Sequence, residues 1–174
     1  MSKIPYPLKK IKAVVFDIDG VLSPATVPIR DNGVPRRMGN LKDGFSMAQA
    51  IKAGLKIIII SGASSEGVRQ RFQNLGVTEF VEDKLRKLPI LKEILERLKL
   101  NPEEVAYVGD DVPDVAPMKY VGLPITPADG STDTKLVAKY VTEAIGGHGV
   151  AREVIEEILR AQDLWQLTLD EFSS

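Results

Sequence analysis

Two carboxylates stand two residues apart in Val15-Phe16-Asp17-Ile18-Asp19-Gly20, directly after an apolar run and just before a glycine. Acids this close resist joint ionisation unless a cation neutralises them or one of them keeps a proton. Phosphoryl transfer uses both devices: an ionised attacker beside a divalent cation, and a neighbour that gives and takes a proton. A second acidic run, Gly109-Asp110-Asp111-Val112-Pro113-Asp114, follows the apolar segment Val105 to Val108. Hard oxygen donors of this kind suit Mg²⁺. Either run alone reads equally well as ordinary turn chemistry after a strand. Their shared placement after apolar strands favours a single site. Ser61-Gly62 closes a third apolar run and offers a hydroxyl and a backbone N–H to a phosphate oxygen. A lysine is needed to balance phosphate charge, and Lys84 and Lys87 both precede a leucine-striped segment, so composition does not choose between them.

These groups converge only if their strands end on one edge of a sheet. Short apolar runs at 12–16, 55–60, 105–108 and 121–125 alternate with longer segments of helical period, the pattern of buried parallel strands. The expectation is an α/β fold, a Rossmann-like three-layer sandwich with a mainly parallel sheet, whose ligands bind beyond the carboxyl ends of the strands. Between Thr26 and Gly39, Asp31-Asn32-Gly33 signals a hairpin turn flanked by Pro28 and Pro35, which predicts a protruding β-hairpin rather than a second domain. Val150, Val154, Ile155, Ile158 and Leu159 share a face, so a last helix is expected from Val150 to about Ala161, with a frayed polar tail beyond it. Gly146-Gly147-His148-Gly149 reads as a hinge before that helix.

The chain has 174 residues, enough for one domain, and a formal net charge of -1 from 23 basic and 24 acidic residues. Interspersed charge of this kind gives no electrostatic footprint for nucleic acid or an anionic membrane. There are no cysteines, which excludes thiolate metal sites and thiol nucleophiles. With no signal-like or membrane-spanning apolar run, a cytoplasmic protein is expected.

Taken in order, Asp17-x-Asp19-Gly20, Ser61, a lysine and Gly109-Asp110-Asp111-x-x-Asp114 resemble the four motifs of the haloacid dehalogenase superfamily. Asn40-Leu41-Lys42-Asp43-Gly44, the segment from Glu104 to Asp111 and Gly146 to Glu153 are similar to the capless phosphatases of that superfamily that act on 3-deoxy-D-manno-octulosonate 8-phosphate, in lipopolysaccharide precursor synthesis. The resemblance implies that Asp17 forms an aspartyl-phosphate while Asp19 protonates the leaving oxygen and then activates water. It implies that Mg²⁺ is held by Asp17, the Asp19 carbonyl and Asp110, with Asp111 and Asp114 orienting them from behind. Ser61 and a motif lysine hold the phosphate, and the family's spacing to its Gly-Asp-Asp motif selects Lys87. Asn40, Asp43, Gly44, Gly62, Arg71 and Arg152 are the matching candidates for substrate contact.

The resemblance further implies one domain over 1–174 with no cap, a hairpin at 26–40 that assembles a homotetramer, and a glycine-hinged C-terminal segment at 146–174 that reaches a neighbouring site. Ala48, Ala63 and His148 stand where those enzymes usually carry arginine. Three other readings compete: a phosphatase for the nine-carbon 2-keto-3-deoxynononate 9-phosphate, a non-catalytic phospho-receiver, and a module kept only for assembly.

Overall fold

The structure is a computed structural model that describes residues 1–33, 35–62, 65–83 and 86–173. Six strands form one sheet: β1 (Ala13–Phe16), β2 (Lys56–Ser61), β3 (Glu79–Glu82), β4 (Val105–Val108), β5 (Leu123–Thr126) and β6 (Tyr140–Val141). Their spatial order is β3-β2-β1-β4-β5-β6, and every pairing is parallel. The expected sheet is thus wholly rather than mainly parallel. Parallel neighbours need crossovers, and these are α1 (Leu41–Lys52), α2 (Glu66–Asn74), α3 (Lys87–Arg97), α4 (Val112–Tyr120) and α5 (Thr132–Val137).

The apolar runs are continuous because both faces of the sheet are covered. Val14 and Phe16 of β1 with Ile57 and Ile59 of β2 join one core, while Ala13, Val15, Ile58 and Ile60 join the other. The first core is closed by Met47 and Ala50 of α1 and by α6 (Val150–Ala161), which buries Val150, Val154, Ile155 and Ile158. The second is closed by Leu91, Ile94 and Leu95 of α3 and Met118 of α4.

The chain winds away from β1 on one side through β2 and β3, and on the other through β4, β5 and β6. The winding reverses between β1 and β4, and ligands of open α/β sheets gather at such a crevice. Phe16 pairs with both Ile59 and Val108, so Ser61 and Asp110 each lie two residues beyond the partner of Phe16. Three strand ends therefore reach the same edge at nearly the same height.

The segment expected as a hairpin doubles back as a short arm: among the described residues Ile29 bridges Pro35 antiparallel, the Arg36 amide donates to the Pro28 carbonyl at 2.8 Å, and the Gly33 amide donates to the Arg30 carbonyl at 2.7 Å. One expectation changes. The tail is not frayed: α7 (Trp165–Glu171) follows α6, and Trp165 is buried in the first core. Among the described residues no further domain interrupts the chain between β1 and α1, and no helix is long and apolar enough to cross a membrane.

Candidate active site

Asp17 leaves the end of β1 almost fully buried, at 7% exposure. Its Oδ1 accepts from the Ile18 amide at 2.7 Å, and its Oδ2 lies 3.2 Å from Lys87 Nζ. Lys87 opens α3 from beyond β3, is itself buried, and donates to Asp114 Oδ1 at 2.7 Å. Of the two candidate lysines, Lys87 therefore reaches the acidic cluster, whereas Lys84 lies outside the described residues. Burial works against the Lys87 ammonium, but the Asp114 and Asp17 carboxylates outweigh it and raise its pKa.

The second acidic run is shaped by the start of α4. Asp111 caps the helix, Pro113 sits in its first turn, and Asp114 returns to accept from the Asp110 amide at 3.1 Å. This tight turn turns Asp110 towards Asp17. Carboxylate oxygens of Asp17, Asp110 and Asp114 lie within 4.8 Å of one another. Asp114 is the most engaged of the three, because its Oδ1 also accepts from the Tyr107 hydroxyl at 2.8 Å. Sequence reasoning missed Tyr107; the available signal was a phenol inside an otherwise aliphatic buried strand, whose hydroxyl needs a partner.

Among the described residues three acids share one buried ammonium, which leaves negative charge uncompensated. Burial first, and the Asp114 carboxylate second, push Asp17 up from 3.8 to about 7. Burial and the Asp17 carboxylate push Asp110 up to about 8. Such a donor set, hard oxygens short of positive charge, fits Mg²⁺. Gly20 makes the approach possible: at φ 84° it occupies a conformation that side chains rarely adopt, and an added Cβ would strike the Asp110 carboxylate.

Asp19 is set apart from this cluster and half exposed, and its carboxylate is gripped by Arg37. Arg37 Nε donates to Oδ1 at 2.7 Å and Nη2 to Oδ2 at 2.8 Å. Arg37 was also missed, since an arginine at the end of a proline-flanked arm has no pattern that distinguishes it from a solvated one.

The candidate substrate residues divide. Gly44 and Arg71 belong together: a Cβ on Gly44 would stand 2.6 Å from Arg71 Nη2, so the glycine makes room for the guanidinium. Both line a cavity of about 450 Å³ beside Arg37, Asn40 and Asp43. Asn40 also caps α1, accepting from the Lys42 and Asp43 amides at 2.9 and 3.1 Å, and donates to the Gly147 carbonyl. Asp43 is buried, and its Oδ1 accepts from the Arg152 amide at 2.8 Å in the first turn of α6. Burial raises its pKa to about 6. Its Oδ2 has no partner among the described residues. Ser61 is buried at the end of β2, and Gly62 follows it at the same edge.

Arg152 is drawn away from the acids. Its guanidinium bonds Glu156 Oε2 at 2.7 Å and lies 4.7 Å from the Trp165 ring centre, stitching α6 to α7. The glycine segment lies against this chain's own loop: the Gly147 amide donates to the Val21 carbonyl at 2.8 Å, and Gly146 packs on the Gly20 carbonyl.

Known proteins resemble this chain over most of its length. Residues 33–122 match the haloacid dehalogenase-like hydrolase family. The chain is 36% identical over 154 residues to the 3-deoxy-D-manno-octulosonate 8-phosphate phosphatase KdsC of Escherichia coli K12, covering 88% of this chain and 82% of that protein. The crystal structure of 3-deoxy-D-manno-octulosonate 8-phosphate phosphatase from Moraxella catarrhalis, in complex with magnesium ion, phosphate ion and KDO, superposes with a TM-score of 0.90 at 31% identity over 95% of each chain. The Yersinia pestis phosphatase of the same name gives 0.87 at 33% identity, over 92% of this chain and 86% of that one.

Proposed function

The chain belongs to the haloacid dehalogenase-like hydrolases, in the KdsC-type phosphatase family, and is a phosphoric monoester hydrolase; from that premise we propose that it hydrolyses 3-deoxy-D-manno-octulosonate 8-phosphate with Asp17 as nucleophile. The observation that carries the reading is the buried Asp17 carboxylate, 3.2 Å from the Lys87 ammonium and clustered with Asp110 where the sheet's winding reverses.

In the first step an Asp17 oxygen attacks phosphorus and the phosphorus–oxygen bond to the sugar breaks. Asp19, protonated, delivers its proton to the departing sugar oxygen. In the second step water attacks the phosphorus of the aspartyl-phosphate, Asp19 takes the water's proton, and the bond from Asp17 to phosphorus breaks to release phosphate. Lys87 neutralises charge on the phosphoryl oxygens, and Ser61 with the Gly62 amide holds one of them. Asp17, Asp110 and the Asp19 carbonyl would hold Mg²⁺, which when bound would offset the carboxylate charge and polarise the phosphoryl group. Asp114, whose oxygens already serve Lys87, Tyr107 and the Asp110 amide, fixes the positions of Lys87 and Asp110, with Asp111 anchoring the turn.

The sugar acid would occupy the cavity between the arm and α2, with Arg71 facing its carboxylate beside Gly44, Asn40 and Asp43. Support for the eight-carbon substrate comes from the named relatives. Ala63, where the sequence departs from the octulosonate enzymes, lies outside the described residues. Exposed Ile29 and Met38 on the arm at 26–40, with Leu41 at the start of α1, give an apolar face suited to packing copies of the chain into the homotetramer.

The test is kcat/KM with Mg²⁺ for the eight-carbon and nine-carbon sugar-acid phosphates. At least a tenfold preference for 3-deoxy-D-manno-octulosonate 8-phosphate is expected. A preference for the nine-carbon ester would reassign the substrate, and turnover of neither would remove the sugar-acid reading.

A further inference from the structure

Asp19 must do two things with one carboxylate, and among the described residues no hydrogen bond from its own loop holds that side chain. The grip comes from outside, from Arg37 at the base of the arm. The Arg37 side chain is 6% exposed while the Asp19 side chain is 44% exposed, so the cation is packed into the protein and the acid stays open to the site. Both contacts are short, at 2.7 and 2.8 Å, and both use the planar fork of Nε and Nη2. An exposed ion pair between flexible chains contributes little to stability, but a buried fork restricts the carboxylate to one plane. Among the described residues the arm carries one antiparallel bridge, Ile29 to Pro35, and Arg37 follows it by two residues.

We propose that Arg37 is a positioning residue for Asp19, setting the plane in which it gives and takes the proton; the inference rests on the acid–base reading of Asp19 above. The two contacts match the two halves of the reaction. Here each Asp19 carboxylate oxygen accepts one N–H of the fork. A protonated Asp19 keeps one, through its carbonyl oxygen, and the freed oxygen carries the proton towards the leaving group. No atom of Arg37 enters the bonds made or broken.

The experiment compares kcat/KM for the sugar-acid phosphate, an alkyl ester whose alkoxide needs a proton to leave, with p-nitrophenyl phosphate, whose phenolate leaves without one. Variants are Arg37→Met, Arg37→Lys, Asp19→Asn and the double Arg37→Met/Asp19→Asn, each checked for an intact thermal transition. General acid catalysis contributes on the order of a hundredfold or more, so Arg37→Met should lose roughly ten- to thirtyfold on the alkyl ester and under about threefold on the aryl ester. Arg37→Lys, which keeps charge but not the fork, should fall between. In the Asp19→Asn background Arg37→Met should leave the alkyl-to-aryl ratio unchanged. Equal losses on both esters, or a further change of the ratio in the double variant, would overturn the assignment. Equal impairment of both esters by Asp19→Asn alone would overturn the acid–base reading, and the role of Arg37 with it.

Discussion

Replacing Asp17 with Asn keeps the side chain's shape and removes its titration, so the effect on stability should depend on pH with a predictable sign. In the metal-free protein, burial and the Asp114 carboxylate raise Asp17 from 3.8 to about 7. Between those values the folded state holds a proton that the unfolded chain has released, so wild-type stability from this group is fully present below about pH 4 and is lost as pH rises towards 7. A shift of about three units corresponds to on the order of 4 kcal/mol, shared with Asp110, whose carboxyl is raised by burial and by Asp17. Asn cannot ionise and has no such loss. The Lys87 contact that Asn weakens adds an offset that is constant with pH, since Asp114 still holds that ammonium at 2.7 Å.

The assay is thermal unfolding of both proteins in EDTA from about pH 4.5 to 8. At about 2–4 °C per kcal/mol for a domain of this size, Asp17→Asn should gain roughly 5–10 °C on the wild type across that window. Saturating Mg²⁺ should erase the gain, because the cation stabilises the ionised wild-type site by binding the folded state. A difference between the two proteins that stays constant from pH 4.5 to 8 would refute the reasoning, whatever its size.

Gly20→Ala forces a side chain into φ 84° at a cost of about 1–2 kcal/mol and drives a Cβ into the Asp110 carboxylate. The Mg²⁺ concentration for half-maximal activity should rise on the order of tenfold, and an unchanged Mg²⁺ titration would remove Asp110 from the ligand set. Trp165→Ala empties a site that is 1% exposed at the junction of α6 and α7 and should cost about 3 kcal/mol, read as a lowered melting temperature. Its turnover well below that melting temperature should stay within about twofold of the wild type, because Trp165 touches none of the clustered acids; a melting temperature unchanged within about a degree would contradict the docking of α7.

What the sequence disclosed follows from where the physics is local. Ile57 to Ile60 reads as a strand because a run of β-branched residues suits a sheet covered on both faces. Asp17, Ser61 and Asp110 could be placed at one edge from sequence because each follows an apolar run within two residues, and parallel pairing brings strand ends together without further information. Lys87 needed one more step, since its ammonium reaches the cluster only through the crossover from β3 to β4. The tail was misjudged for the opposite reason: the α7 segment is rich in polar residues, and its order depends on Trp165 docking beneath Arg152 on α6, a contact no local pattern records.

Arg37 and Tyr107 mark the boundary more sharply. Tyr107 acts across the site through Asp114, seven residues on, and the turn at Gly109 rather than any periodicity brings them together. Arg37 lies two residues past the Ile29–Pro35 bridge of the arm, 18 residues from Asp19 in sequence, and the return of that arm over the β1 loop makes the pair. A nucleophile is placed by the strand that carries it, and strands can be read from composition. The carboxylate proposed for proton transfer is held instead from a loop, where the same residue types serve solvent elsewhere. Variation in the arm at 26–40 should therefore alter proton transfer and substrate choice while leaving Asp17, Lys87 and Asp110 in place, since none of those three rests on it.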